Sequence, residues 1–242
     1  VYAATHLRTG GRCAVKVLHP SCRASGDIYR RFQDEARIAS SLQHPNIVHV
    51  VDLDETESGE PFIVMELLSG EDLGARLEAR GRLTLDEVRD LVRPIGSALQ
   101  AAHDHDIVHR DIKPQNIFLV RVEAAGEVSE FVKVVDFGIS KIRRSGSQAT
   151  KEHVILGTPS YMPPEAALGL NRELDGRADQ WSLAVIAYQA LSGALPFVAG
   201  DTMGLLFHII NSEPPPLAAR MPTLPPYVTG AVTRALQKRP ED

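Results

Sequence analysis

A chain of 242 residues with 43% hydrophobic and 24% charged side chains has the profile of an ordinary globular protein, with room for one large domain or two small ones. Lysine and arginine together number 26 against 31 aspartates and glutamates, and the net charge of −5 removes any electrostatic reason to expect nucleic acid or an anionic membrane as partner. No apolar run has the length of a membrane span, no signal peptide opens the chain, and Cys13 and Cys22 match no zinc or redox spacing, so they read as free thiols of a reducing cytoplasm.

In chain order, Cys13–Leu18 is β-rich, and Ile28, Phe32, Ala36, Ala39 and Leu42 recur at helical spacing. A turn, "HPNIV", leads to Ile47–Leu53 and Pro61–Leu67, which read as a hairpin around the acidic loop Asp54–Glu60. The pattern changes at about residue 69. Thr84 with Glu87 forms a capping box ahead of Leu85, Val88, Leu91, Val92, Ile95 and Leu99, which predicts one long amphipathic helix. His103 and His105 read as exposed residues at its end. A polar hairpin is expected at Arg121–Glu130, followed by the apolar strand "FVKVV". Ala178–Leu191 is apolar almost all round and predicts a buried central helix ended by Gly193, and the Pro-rich "EPPPLAARMPTLPP" reads as an irregular connection.

The chemistry concentrates in "IVHRDIKPQNIFLV", residues 107–120. His109, Arg110, Asp111, Lys113 and Asn116 stand between apolar runs in a stretch too short for a helix face, and Pro114 would break a helix there. This predicts a loop held rigidly between apolar elements, where catalytic side chains tend to sit. Further on, an apolar strand ends on Asp136, Phe137 and Gly138, placing a second acid at a strand end. Upstream, "AVK" sets Lys16 inside an apolar strand, and Glu35 on the next helix is in reach as its partner. Taken singly, "AVK" is an ordinary strand with a snorkelling lysine and Asp-Phe-Gly a turn. His109 reads as a structural histidine packed on Phe137 rather than a base.

Together, in this order, and with "GTPSYMPPE" and "DQWSLAVIAYQALSGALPF" in register, the pieces resemble the eukaryotic-type Ser/Thr protein kinases over nearly the whole chain. The resemblance implies an α+β, two-lobed fold: residues 1–68 as a small β-rich N-lobe, truncated and lacking its Gly-rich loop, and residues 69–242 as a larger, mainly helical C-lobe without its final helix. The chain has no initiating Met and opens on Val1 inside a strand-like stretch, so it reads as partial at both ends and, as it stands, weakly active or inactive.

The implied activity is transfer of the γ-phosphate of ATP to Ser or Thr hydroxyls of protein substrates, in signalling, in the cytoplasm. ATP and Mg²⁺, or Mn²⁺ in its place, are the implied cofactors. Carried over, Lys16 would contact the α- and β-phosphates and be held by Glu35, while Asn116 and Asp136 would hold the metal. Asp111 would orient the acceptor hydroxyl and take its proton, and Lys113 would neutralise the γ-phosphate. Glu66 and Leu68, after the gatekeeper Met65, would offer backbone groups to adenine, with Val1, Ala14 and Phe118 sandwiching the base. Glu71 and Asp72 would meet either the ribose or a basic substrate residue. Asp179 resembles the acid that bonds the catalytic-loop backbone, Thr158 would shape the wall beside the acceptor, and Arg110 would meet a phosphate on Ser145, Ser147 or, preferentially, Thr150. Glu165 would need an arginine partner, for which Arg239 is an off-register substitute.

Two other readings compete. A non-catalytic kinase-like binding module commonly lacks one of the lysine and two aspartates, and Lys16, Asp111 and Asp136 are all present. A small-molecule phosphotransferase of the same superfold shares the Asp and Asn but not "KPQN" followed by "GTPSYMPPE".

Overall fold

A computed structural model of the protein describes residues 1–18, 26–124, 126–137, 159–170 and 174–241, with the side chains of residues 26–31, 35, 124, 127 and 128 outside that set. The N-terminal part is an antiparallel sheet of β1 (Tyr2–Thr5), β2 (Arg12–Val17), β3 (Val50–Glu55) and β4 (Pro61–Glu66), ordered β1-β2-β4-β3. Helix α1 (Gly26–Ser41) lies against it, because the apolar residues spaced along one face, Phe32, Ala36 and Ala39, bury with Val50 and Ile63 in a small core of their own. The expected hairpin begins later than its apolar run. Ile47 is buried, but its neighbours bond to a different sheet, and a register shift between Val50 and Asp52 marks where pairing with β4 settles.

That second sheet runs β5 (Gly70–Asp72), β6 (Ile117–Ala124) and β7 (Glu127–Val134), all antiparallel. The polar hairpin expected at 121–130 is the outer half of one continuous ladder, from Ile117 opposite Val134 to Ala124 opposite Glu127. Polar residues hide this in the sequence, since the strand is held by cross-strand pairing such as Arg121 opposite Glu130 rather than by apolar alternation.

Helices supply the rest: α2 (Leu73–Arg80), α3 (Leu85–His103), α4 (Pro164–Ala167), α5 (Gly176–Ser192), α6 (Thr202–Asn211), α7 (Leu217–Arg220) and α8 (Pro226–Ala235). The capping box of α3 forms as expected, with Glu87 N–H donating to Thr84 Oγ1 and Thr84 N–H donating to the Glu87 carboxylate. Asp175 caps α5, and Gly193 ends it at φ 77°, a left-handed conformation suited to glycine. Ile95, Ala98, Val185, Tyr188 and Leu191 bring α3 and α5 together in the main core. The Pro-rich connection contains the single-turn helix α7, anchored by the buried Leu217.

The segment from His44 to Val48 stitches the two sheets together. Val48 N–H donates to Val134 O at 3.0 Å, Val134 N–H to Asn46 O at 2.7 Å, and the Asn46 amide to Val132 O at 2.8 Å. Among the described residues no helix is long and apolar enough to cross a membrane.

Candidate active site

The loop after α3 is shaped by one buried carboxylate. Asp179, in the first turn of α5 and fully buried, accepts from the backbone N–H groups of His109 and Arg110, each at 2.8 Å, and pairs with His103 Nε2 at 2.8 Å. These bonds hold the chain while Arg110 adopts φ 63°, a conformation that costs energy for a side chain with a Cβ. The expectation of exposure is wrong for His103. Its ring lies against α5, where a Cβ on Gly176 would come within 2.6 Å of Nδ1, and it completes the Asp179 cluster. His105 is exposed as expected.

The His109 ring is fully buried, 4.6 Å from the Phe137 ring centroid. Its Nε2 donates to Val135 O at 3.1 Å and its Nδ1 accepts from Asp111 N–H at 3.3 Å, which fixes a neutral tautomer. Burial pushes its pKa down against the opposing pull of Asp179, in keeping with a structural histidine.

On this support, Asp111 Oδ2 pairs with Lys113 Nζ at 2.7 Å and lies 3.4 Å from Asn116 Nδ2. The Asn116 amide nitrogen donates to Asp111 O at 2.8 Å, so its oxygen remains available as an acceptor. Asn116 O accepts from Val135 N–H at 2.9 Å, which places Asn116 beside the strand end carrying Asp136. Asp136 stands at φ 55° with its carboxylate half exposed, 2.8 Å from Lys16 Nζ across 120 residues of sequence. Asp136 and Asn116 thus both carry oxygen donors, on segments joined by the Val135–Asn116 bond, and oxygen is the donor type that a divalent cation of the Mg²⁺ class takes.

The profile of the protein kinase domain matches residues 1–238. This chain belongs to the protein kinase family. It is 42% identical, over its whole length, to serine/threonine-protein kinase Pkn1 of Myxococcus xanthus, of which it covers 34%. It is 37% identical over 99% of its length to serine/threonine-protein kinase PknA of Mycobacterium tuberculosis, covering 54% of that protein. The chain thus spans between a third and about half of these curated relatives. The crystal structure of the Mycobacterium tuberculosis PknI kinase domain superposes with a TM-score of 0.72 at 32% identity, covering 99% of this chain and 83% of that one. The fold is accordingly the two-lobed kinase fold, with a small β-rich lobe and a larger helical one.

Of the residues expected at a kinase site, Lys16, Asp111, Lys113, Asn116 and Asp136 form the contacts described. Glu35 lies on α1 with its side chain outside the described residues, and Cys22, Gly138, Ser145, Ser147, Thr150 and Thr158 also fall outside them. Ala14 is buried opposite Met65 in the β2–β4 register, and Leu68 and Phe118 are half-buried. Val1 precedes β1 and is 78% exposed, so the fold does not bury it. Glu66 turns its side chain away into a pair with Lys133, a partner that sequence reasoning missed. Glu71 holds Arg76 at 2.7 Å and Asp72 caps α2, so both acids already have structural tasks. Arg239 is exposed and, among the described residues, makes no ion pair with Glu165, whose carboxyl is pushed up by burial.

Proposed function

We propose that this chain transfers the γ-phosphate of ATP to Ser and Thr hydroxyls of protein substrates, using Mg²⁺, in signalling and in the cytoplasm where ATP is held. Residues 1–68 serve as the upper lobe and 69–242 as the lower. The observation that carries the reading is the joining of the Asp111–Lys113–Asn116 cluster to the Lys16–Asp136 pair through the bond from Val135 N–H to Asn116 O. Asp111 orients the acceptor hydroxyl and accepts its proton as the oxygen bonds to the γ-phosphorus and the bond to the ADP oxygen breaks. Lys113, beside it, offsets the charge on the phosphoryl oxygens. Lys16 exchanges part of its contact with Asp136 for the α- and β-phosphates, with Glu35 as its second partner. Asn116 and Asp136 hold the metal, which supplies charge neutralisation for the phosphates. The backbone at Glu66 and Leu68 meets adenine, and Ala14 and Phe118 line the base, with Val1 at the open margin. Arg110 Nε is buried without a partner among the described residues, which favours an incoming anion such as a phosphate within 138–158.

The test is labelled-ATP transfer to generic protein substrates by the natural full-length protein, with identification of the phosphorylated residue type. Asp111→Asn should lower transfer by about 100-fold or more. Near-wild-type transfer by that variant would exclude the mechanism, and labelling of a small molecule in place of Ser or Thr would exclude the substrate class.

A further inference from the structure

Lys133 is a lysine only 14% exposed, on β7 three positions before Asp136, and neither the catalytic loop nor the metal-holding pair uses it. Its Nζ donates to Glu66 Oε1 at 2.5 Å and to Ile47 O at 3.2 Å. The same Glu66 oxygen accepts from His49 N–H at 2.7 Å, and Glu66 N–H donates to His49 O at 3.0 Å. A nearly buried ammonium is costly to desolvate, and an apolar side chain would fill the place more cheaply if packing were its only task. What the charge adds is direction: it fixes the last residue of β4 to the strand that leads into Asp136.

Resting on the kinase reading above, we propose that Lys133 is a positioning residue which holds the adenine-facing segment at Glu66 and the metal-facing Asp136 in one fixed spacing. Glu66 spends its carboxylate on Lys133 and His49 and its N–H on His49 O, so in this reading its carbonyl is the group that faces the base. Phe118, expected beneath the base, pairs with Lys133 in the β6–β7 register, so the strand residue that carries the tether also sits next to the base platform. At the other end of the same short segment, Asp136 reaches Lys16 on β2. A ligand that must touch both ends at once gains from this preorganisation, whereas one touching only the base side does not.

The discriminating measurement is therefore binding of two probes, ATP with Mg²⁺ and adenosine alone, by calorimetry on the natural full-length protein. Lys133→Met should weaken ATP·Mg²⁺ by about five-fold, the range of coupling between contacting groups, and leave adenosine within about two-fold. Lys133→Arg should restore ATP affinity. Glu66→Gln, which keeps the His49 contact, should match the Lys133→Met loss, and the double variant should be no weaker than either single one. Equal losses for ATP and adenosine, or none for ATP, would overturn the proposal. Failure of the wild type to bind ATP with metal would instead overturn the kinase reading and the inference with it, a result visible before any variant is made.

Discussion

Among the described residues, three that are not glycine carry positive φ: Asp106 at 59°, Arg110 at 63° and Asp136 at 55°. Two of them flank the proposed site, where strain is offset by specific bonds, Asp179 for Arg110 and Lys16 for Asp136. Asp106 lies exposed in the turn after α3 and supports neither contact. Asp106→Gly should therefore raise stability by about 0.5–1 kcal/mol, roughly 1–2 kcal/mol of left-handed strain relieved less the greater unfolded-state entropy of glycine. The raised melting temperature should come with unchanged transfer, and a lowered one would show that the Asp106 side chain has a stabilising task. At this scale the residues proposed for the chemistry were legible because Lys16, Asp111, Asn116 and Asp136 interrupt apolar runs. His103 and Lys133 were not, since nothing local marks them; their partners Asp179 and Glu66 lie 76 and 67 residues away and meet them only through folding.

Helix α3 shows how much of an element local chemistry can specify. Its start was readable to the residue because the capping box is a contact among near neighbours, whereas the β6–β7 ladder was read short because its outer half depends on cross-strand pairs and on Arg76, which binds Glu130 from α2. The cap also predicts a pH response. A hydrogen bond from Arg80, then the Thr84 backbone N–H, hold the Glu87 carboxyl at about 2, below its ordinary 4.5. A depressed carboxyl stabilises the fold fully above its unfolded value and loses that contribution as pH falls through the folded one. Glu87→Gln keeps the cap geometry but not the charge. It should melt below the wild type at neutral pH, with the gap closing as pH falls from 4.5 towards 2. Because the pair is largely exposed, the gap should also narrow in high salt. A gap independent of pH would assign Glu87 a packing role alone.

The described residues form two separate cores, one under the small sheet and one centred on α3 and α5. The upper part is tied down by the bonds of residues 44–48 to β7 on one side and by Lys16 to Asp136 on the other. Composition and periodicity made both cores legible, but the ties between them were not, because they are backbone bonds of Val48 and Val134 and side-chain contacts of Asn46 and Lys16 with partners 86 and 120 residues away. A ligand that contacts both Lys16 and the Asp136 side should stabilise both parts together. At a concentration 100-fold above Kd the gain is about 2.7 kcal/mol, and at about 2–4 °C per kcal/mol for a domain of this size ATP with Mg²⁺ should raise the melting temperature by roughly 5–11 °C. ATP with the metal chelated should give a smaller shift, because Asn116 and Asp136 then face phosphate charge without a cation between them. Asp136→Asn should erase the difference made by metal while Asp111→Asn, which leaves the metal-holding oxygens in place, should keep it. If Asp136→Asn retained the full metal-dependent shift, the cation would have to be held elsewhere, and the assignment of Asp136 as its ligand would fail.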